Sequence, residues 1–125
     1  MTGRAAPLAP LVELVRDDDT SAVATAKVDP ADPVFAGHYP GFPVLPGVYL
    51  LELVGQVVRA SQGERYELAR LDRGRFLSPV APGDELRIEA KLSQVDDELR
   101  CVATIANAHG RAAELKLSYR LETAA

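Results

Sequence analysis

Eleven residues, Val48 to Val58, constrain this chain more than any others. They read VYLLELVGQVV and are apolar except for Glu52, Gly55 and Gln56. The apolar positions fall all round a helical wheel, so the spacing predicts a helix buried on every side rather than one lying on a surface. A single helix of that kind needs a sheet curved about it, because a flat sheet covers one side only. Glu52 is the anomaly. A carboxylate inside so apolar a helix is costly unless it is paired or kept protonated. Gln56, four residues on, shares its face.

The rest of the chain supplies the sheet. Leu11–Val15 and Ser21–Val28 are predicted strands, joined by a turn over Arg16–Thr20. Three aspartates in that turn, Asp17, Asp18 and Asp19, suggest a cation site, but no calcium-loop spacing follows them and a solvated hairpin turn is the better reading. Asp32–Gly47 holds Pro33, Pro40, Pro43 and Pro46 with three glycines and has no helical period. Ser61-Gln62-Gly63 gives the helix a glycine stop. Tyr66–Leu77 is the next predicted strand, ended by Ser78-Pro79, and Pro79–Asp84 is a turn by composition.

Three alternating strands follow. Leu86, Ile88, Ala90 and Leu92 form one series, Leu99, Cys101, Ala103 and Ile105 the second, Leu115, Leu117, Tyr119 and Leu121 the third. Turns fall at Asp96-Asp97 and His109-Gly110. The expected fold class is α+β, a long central helix wrapped by a curved antiparallel sheet of about five to six strands. Residues 1–10 read as a loose lead and residues 11–125 as a single domain. Such a sheet does not close, and its edges invite pairing with a second chain.

Composition works by exclusion. A net charge of −4 gives no general attraction for nucleic acid, and no basic stretch interleaved with aromatics occurs. Cys101 is the sole cysteine and cannot form an internal disulfide, which suits a reducing compartment. No apolar run approaches the roughly 20 residues that span a bilayer, so a cytoplasmic location without membrane contact is expected.

Gly37-His38-Tyr39-Pro40-Gly41, then Pro43, Pro46-Gly47-Val48, Glu52 and Gln56, resembles the pattern GHFPGxPxxPGVxxxEAxAQ of the FabZ-type 3-hydroxyacyl-[acyl carrier protein] dehydratases. Downstream, Arg75-Phe76-Leu77-Ser78-Pro79-Val80-Ala81-Pro82-Gly83-Asp84 is similar to the family's RFxxPVxPGD segment. The resemblance runs from about Asp32 to the C-terminus. It implies the hotdog fold, a long helix wrapped by an antiparallel sheet. It also implies a dehydratase with His38 as base and Glu52 as its acidic partner, and with Gly47 as backbone donor to the thioester carbonyl. Val48, Gln56, Tyr39 and Phe76 are expected around the substrate. The implied partners are acyl carrier protein and either a second copy or a related hotdog subunit. No metal or other cofactor is implied, the substrate riding on the carrier's phosphopantetheine.

The chemistry asks for such groups. Removing water from a 3-hydroxyacyl thioester means taking a proton from C2 and releasing hydroxide from C3. Charge growing on the thioester oxygen needs donors, and the unpaired N–H groups of a helix start supply them. Imidazole is a base of suitable strength near neutral pH. Glu52 in apolar surroundings would carry the proton that the departing hydroxyl takes, with Gln56 orienting it. Cys101 lies on the apolar side of a strand and reads as core, and His109, beside a turn glycine, reads as structural. Arg59, Arg65, Arg70, Arg73 and Arg75 form a basic cluster on an acidic chain. They are either solvated strand edges or a docking face for an acidic carrier.

The chain departs from the family pattern at several places. Tyr39 stands where Phe is usual, and Leu53 and Gly55 replace the alanines of EAxAQ. The HRYPFLL-like entry segment is absent. These departures point to a dehydratase dedicated to a polyketide or other specialised acyl chain. Isomerising relatives carry Asp where this chain has Glu52. Two other functions compete with the dehydratase reading, a non-catalytic or co-catalytic subunit of a heterodimer and a hotdog thioesterase.

Overall fold

The computed structural model describes residues 12–29 and 47–122. His38 and Tyr39 lie outside them, as do the N-terminal lead and most of the Pro/Gly segment. Six strands and one helix follow in the order β1 (Val12–Asp17), β2 (Ser21–Lys27), α1 (Gly47–Gln62), β3 (Tyr66–Phe76), β4 (Glu85–Val95), β5 (Glu98–Asn107) and β6 (Gly110–Leu121). All pairings are antiparallel, and the sheet order is β1-β2-β4-β5-β6-β3. The expected α+β arrangement of one helix on one antiparallel sheet is the one observed.

Alternation in sequence becomes one buried face. Leu86, Ile88, Ala90 and Leu92 of β4 all turn inward, and their polar neighbours turn out. Pairing aligns Ala22 with Ala90 and Ala90 with Ala103, so small side chains form a row across β2, β4 and β5. That row leaves depth for the larger side chains of α1, among which Leu53, Val54, Val57 and Val58 are at most 1% exposed. Each such side chain taken from water contributes roughly 1.5–3 kcal/mol.

The turns obey local chemistry. Asp18 Oδ1 accepts the backbone N–H groups of Thr20 and Ser21, each at 2.8 Å, which closes the β1–β2 hairpin. Strand β1 runs on to Asp17, so that turn is tighter than Arg16–Thr20. Gly63 ends α1 with φ +130°, its N–H donating to Arg59 O at 3.1 Å. Cys101 is buried as expected, and burial pushes its thiol up to about 12. His109 is exposed at the β5–β6 turn, where its backbone N–H donates to Asn107 Oδ1. Among the described residues no helix is long and apolar enough to cross a membrane.

One expectation needs correction. The helix is not buried on every side. Leu50, Leu53, Val54, Gly55, Val57 and Val58 are covered, while Val48 is 64% exposed and Leu51, Glu52 and Gln56 are half-buried. An open sheet wraps only part of the helix circumference, so among the described residues its remaining apolar stripe is left partly uncovered. Edge strand β3 behaves alike, leaving Leu68, Leu71 and Phe76 exposed.

Candidate active site

The Phe76–Asp84 stretch is held tightly beside the helix start. Leu77 and Ser78 both donate backbone N–H groups to Ala112 O, at 2.8 and 3.3 Å. Gly83 adopts φ +87°, a conformation that favours glycine. Asp84 Oδ2 accepts from Ala81 N at 2.9 Å and from Asn107 Nδ2 at 3.1 Å, fixing the turn. Val80, 1% exposed, anchors the segment in the core. Phe76 is thereby laid against Gly47, the first residue of α1, where a Cβ would meet its ring at 2.9 Å. These two expected substrate residues border one cavity of about 420 Å³ with Leu50, Leu77, Pro79 and Val80.

Glu52 borders a second cavity of about 230 Å³, walled by Val48, Leu51, Gly55, Leu68 and Tyr119, with Arg59 among the lining side chains. The two cavities share α1 as a wall, and no residue lines both. The structure thus joins Gly47 with Phe76 and Val48 with Glu52, and sets the two pairs side by side. Gln56, one turn beyond Glu52, is half-buried. Gly47 and Glu52 are five residues apart, roughly 7.5 Å along the helix axis.

Glu52 is not the isolated carboxyl that the sequence suggests. Arg59 Nη2 donates to its Oε2 at 3.3 Å, and the Glu52 side chain is 39% exposed. Gly55 lies between them on the helix. A Cβ there would stand 3.1 Å from Arg59 Nη1, so the bare glycine gives the guanidinium room to lie back toward Glu52. The spacing of seven residues puts Arg59 on the Glu52 face and was the available signal. Tyr119 is a second residue that the sequence does not mark. It is 1% exposed, and its hydroxyl has no hydrogen-bond partner among the described residues.

The basic cluster divides. Arg65 donates to Glu122 O at 2.7 Å. Arg70 forks onto Glu98 at 3.0 and 3.1 Å and also reaches Asp72 and Ser118. Arg73 and Arg75 join Arg111 and Lys116 around a cavity of about 260 Å³. It lies on the sheet face away from the helix, where Val102 is 47% exposed. Arg75 and Arg111 both bond Glu114 there.

A helix N-terminus, whose first N–H groups have no partner within the helix, beside a carboxylate in an apolar-walled cavity can polarise a carbonyl and act on a hydroxyl a few bonds away. Comparison with known proteins points the same way. Residues 14–115 match the ApeI-like family model, described as ApeI dehydratase. The 3-hydroxyacyl-[acyl-carrier-protein] dehydratase FabZ of Pelotomaculum thermopropionicum is 38% identical over 86 residues, covering 63% of this chain and 61% of that protein. The match therefore spans under two thirds of that relative's length. FabZ of Bartonella bacilliformis is 33% identical over 111 residues, covering 82% of this chain and 72% of the relative. Among solved structures, the dehydratase heterocomplex ApeI:P from Xenorhabdus doucetiae is similar with a TM-score of 0.69 at 19% identity, covering 87% of this chain and 97% of that one. The E. coli PaaI protein from the phenylacetic acid degradation operon gives 0.70 at 21%, covering 87% and 82%. At such identities the structural likeness speaks for the shared hotdog fold alone.

Proposed function

The chain belongs to the ApeI-like dehydratase family, related to FabZ, and from that membership we propose that it converts a 3-hydroxyacyl thioester to the trans-2-enoyl thioester. The substrate is carried on the phosphopantetheine of an acyl carrier protein. His38 takes the C2 proton, and the enolate charge on the thioester oxygen is stabilised by the Gly47 N–H. Glu52 gives a proton to the C3 hydroxyl, which leaves as water while the double bond forms between C2 and C3. The observation that carries this reading is Glu52 in an apolar-walled cavity, about 7.5 Å along the helix from Gly47, the first residue of α1. Val48 and Phe76 offer apolar contact to the acyl chain, and Gln56 and Tyr39 complete its surroundings. The departures at Leu53 and Gly55 favour a specialised acyl chain, such as a polyketide, over housekeeping fatty acids.

The site is shared between two chains, His38 of one beside Glu52 of the other. The exposed stripe of α1 and the open edge of β3 support such pairing. A related subunit rather than a second copy is the alternative partner, and the heterocomplex among the structural neighbours favours considering it. The cations Arg73, Arg75, Arg111 and Lys116 suit an acidic carrier.

Incubating the purified chain with a 3-hydroxyacyl thioester and weighing the products by mass spectrometry tests the proposal. Loss of water is expected. Release of the free acid would instead mark a thioesterase, and unchanged substrate would mark a chain that needs a different partner.

A further inference from the structure

The proton that Glu52 delivers must sit on one of its two oxygens, and the geometry beside it decides which. Arg59 has only N–H donors, so the oxygen that accepts from it shares its electron density with the guanidinium and the other oxygen is the favoured place for a proton. Nη2 of Arg59 is 3.3 Å from Oε2. Arg59 itself is 27% exposed and borders the same cavity as Glu52. We propose that Arg59 is a positioning residue that reserves Oε1 of Glu52 for the proton and the reacting hydroxyl, and that Gly55 exists to make room for it. The proposal rests on Glu52 acting at the C3 hydroxyl.

The role of Gly55 follows from its neighbours. Glycine inside a helix is destabilising relative to alanine, so its presence asks for a local reason. Gly55 is buried, and a Cβ would approach Arg59 Nη1 to 3.1 Å and Nη2 to 3.4 Å. A methyl group would push the guanidinium by a few tenths of an ångström. The 3.3 Å bond to Glu52 is already long, and hydrogen bonds weaken quickly beyond that length. Gly55 and Arg59 therefore work as one device, since neither alone brings a guanidinium to Oε2.

The test is a double-mutant cycle read in kcat and KM for dehydration, with Glu52→Gln alongside. Arg59→Met should lower kcat about ten-fold or more with KM little changed, because a misaligned acid harms the chemical step rather than binding. Arg59→Lys should restore part of the loss. Gly55→Ala should lower kcat while Arg59 is present and add nothing in the Arg59→Met background. Gly55→Ala deletes no charge, so its single-variant loss of kcat is read without relying on how well Arg59→Met folds, and circular dichroism of Arg59→Met checks the background that the cycle uses. Full kcat in Arg59→Met overturns the proposal. So does a rise in KM alone, which would make Arg59 a substrate-binding group, or an equal Gly55→Ala loss in both backgrounds, which would make Gly55 a packing residue. If Glu52→Gln is itself active, the reading of Glu52 fails. If Glu52→Gln is dead while Arg59→Met is unimpaired, only the positioning role fails.

Discussion

The ring of Phe76 occupies the space that a side chain at residue 47 would fill. A Cβ on Gly47 would meet Phe76 Cε1 and Cζ, both at 2.9 Å. Phe76 is 53% exposed, so its ring can swing aside, and Gly47→Ala should fold. The displaced ring would then alter the surroundings of the N–H proposed to bind the thioester oxygen. Loss of one such donor costs about 10²–10³ in kcat, which sets the upper limit for a disturbed one. Combining Gly47→Ala with Phe76→Ala removes the clash and should recover part of the activity. A double variant no better than Gly47→Ala would show that the methyl group acts on the substrate and not through Phe76.

The strands and the helix were legible because burial imposes a period. Leu86, Ile88, Ala90 and Leu92 declare their face by alternation, and every one of them is buried. The neighbourhood of Gly47 and Phe76 was legible only through the family pattern, since the two residues are far apart in sequence. The cover of the helix is not legible, because Val48 and Leu51 look like core residues, yet among the described residues Val48 is exposed and Leu51 only half-buried. The pairing of Arg59 with Glu52 was hidden for another reason. The seven-residue spacing sets the two on one face, but whether they meet depends on the missing Cβ of Gly55, a matter of a few tenths of an ångström. The ion pairs of Arg70 are likewise not legible in the basic cluster, which reads as solvated strand edges or a docking face, because its partners come from β5 and β6 across two irregularities in β3.

That Arg70 network makes stability depend on pH. Hydrogen bonds from Arg70 hold the Glu98 carboxyl below its ordinary 4.5, and the Ser118 hydroxyl, then Arg70, hold Asp72 below its ordinary 3.8. Glu98 is 6% exposed and also accepts from Arg120 at 3.0 Å. Groups with lowered folded values stabilise the protein fully above their unfolded values, and that contribution is lost as pH falls through the folded ones. Melting temperature should therefore fall on acidification below about pH 4.5. Glu98→Gln should melt lower at neutral pH and show a shallower fall. Parallel curves for the two proteins would remove Glu98 from the acid response.

Tyr119 offers a gain instead of a loss. Its hydroxyl is buried without a partner among the described residues, and burial pushes its ionisation upward. Leaving such a group unsatisfied costs about 1–3 kcal/mol, whereas the ring itself packs in the core. Tyr119→Phe should raise the melting temperature by a few degrees, as roughly 1 kcal/mol does for a domain of this size. A clear drop would mean that the hydroxyl is bonded in the assembled protein, with the Glu52 cavity as the place to look for its partner.

A site shared between two chains, as proposed, makes a complementation experiment decisive. His38→Ala and Glu52→Ala should each be inactive, losing about two to four orders of magnitude in rate. Mix them in equal amounts under conditions that let subunits exchange. In a mixed dimer, one site contains both altered residues and the other contains both intact ones. Random exchange makes about half the dimers mixed, each with one working site of two, so activity should return to roughly a quarter of wild type. A site built within one chain keeps a defect everywhere and returns nothing. The same silence is expected if the natural partner is a related subunit, and light scattering on the purified chain separates these cases. A homodimer that exchanges yet stays inactive sinks the shared site, whereas a chain that remains monomeric, with Leu68, Leu71 and Phe76 still open along β3, points to the related subunit.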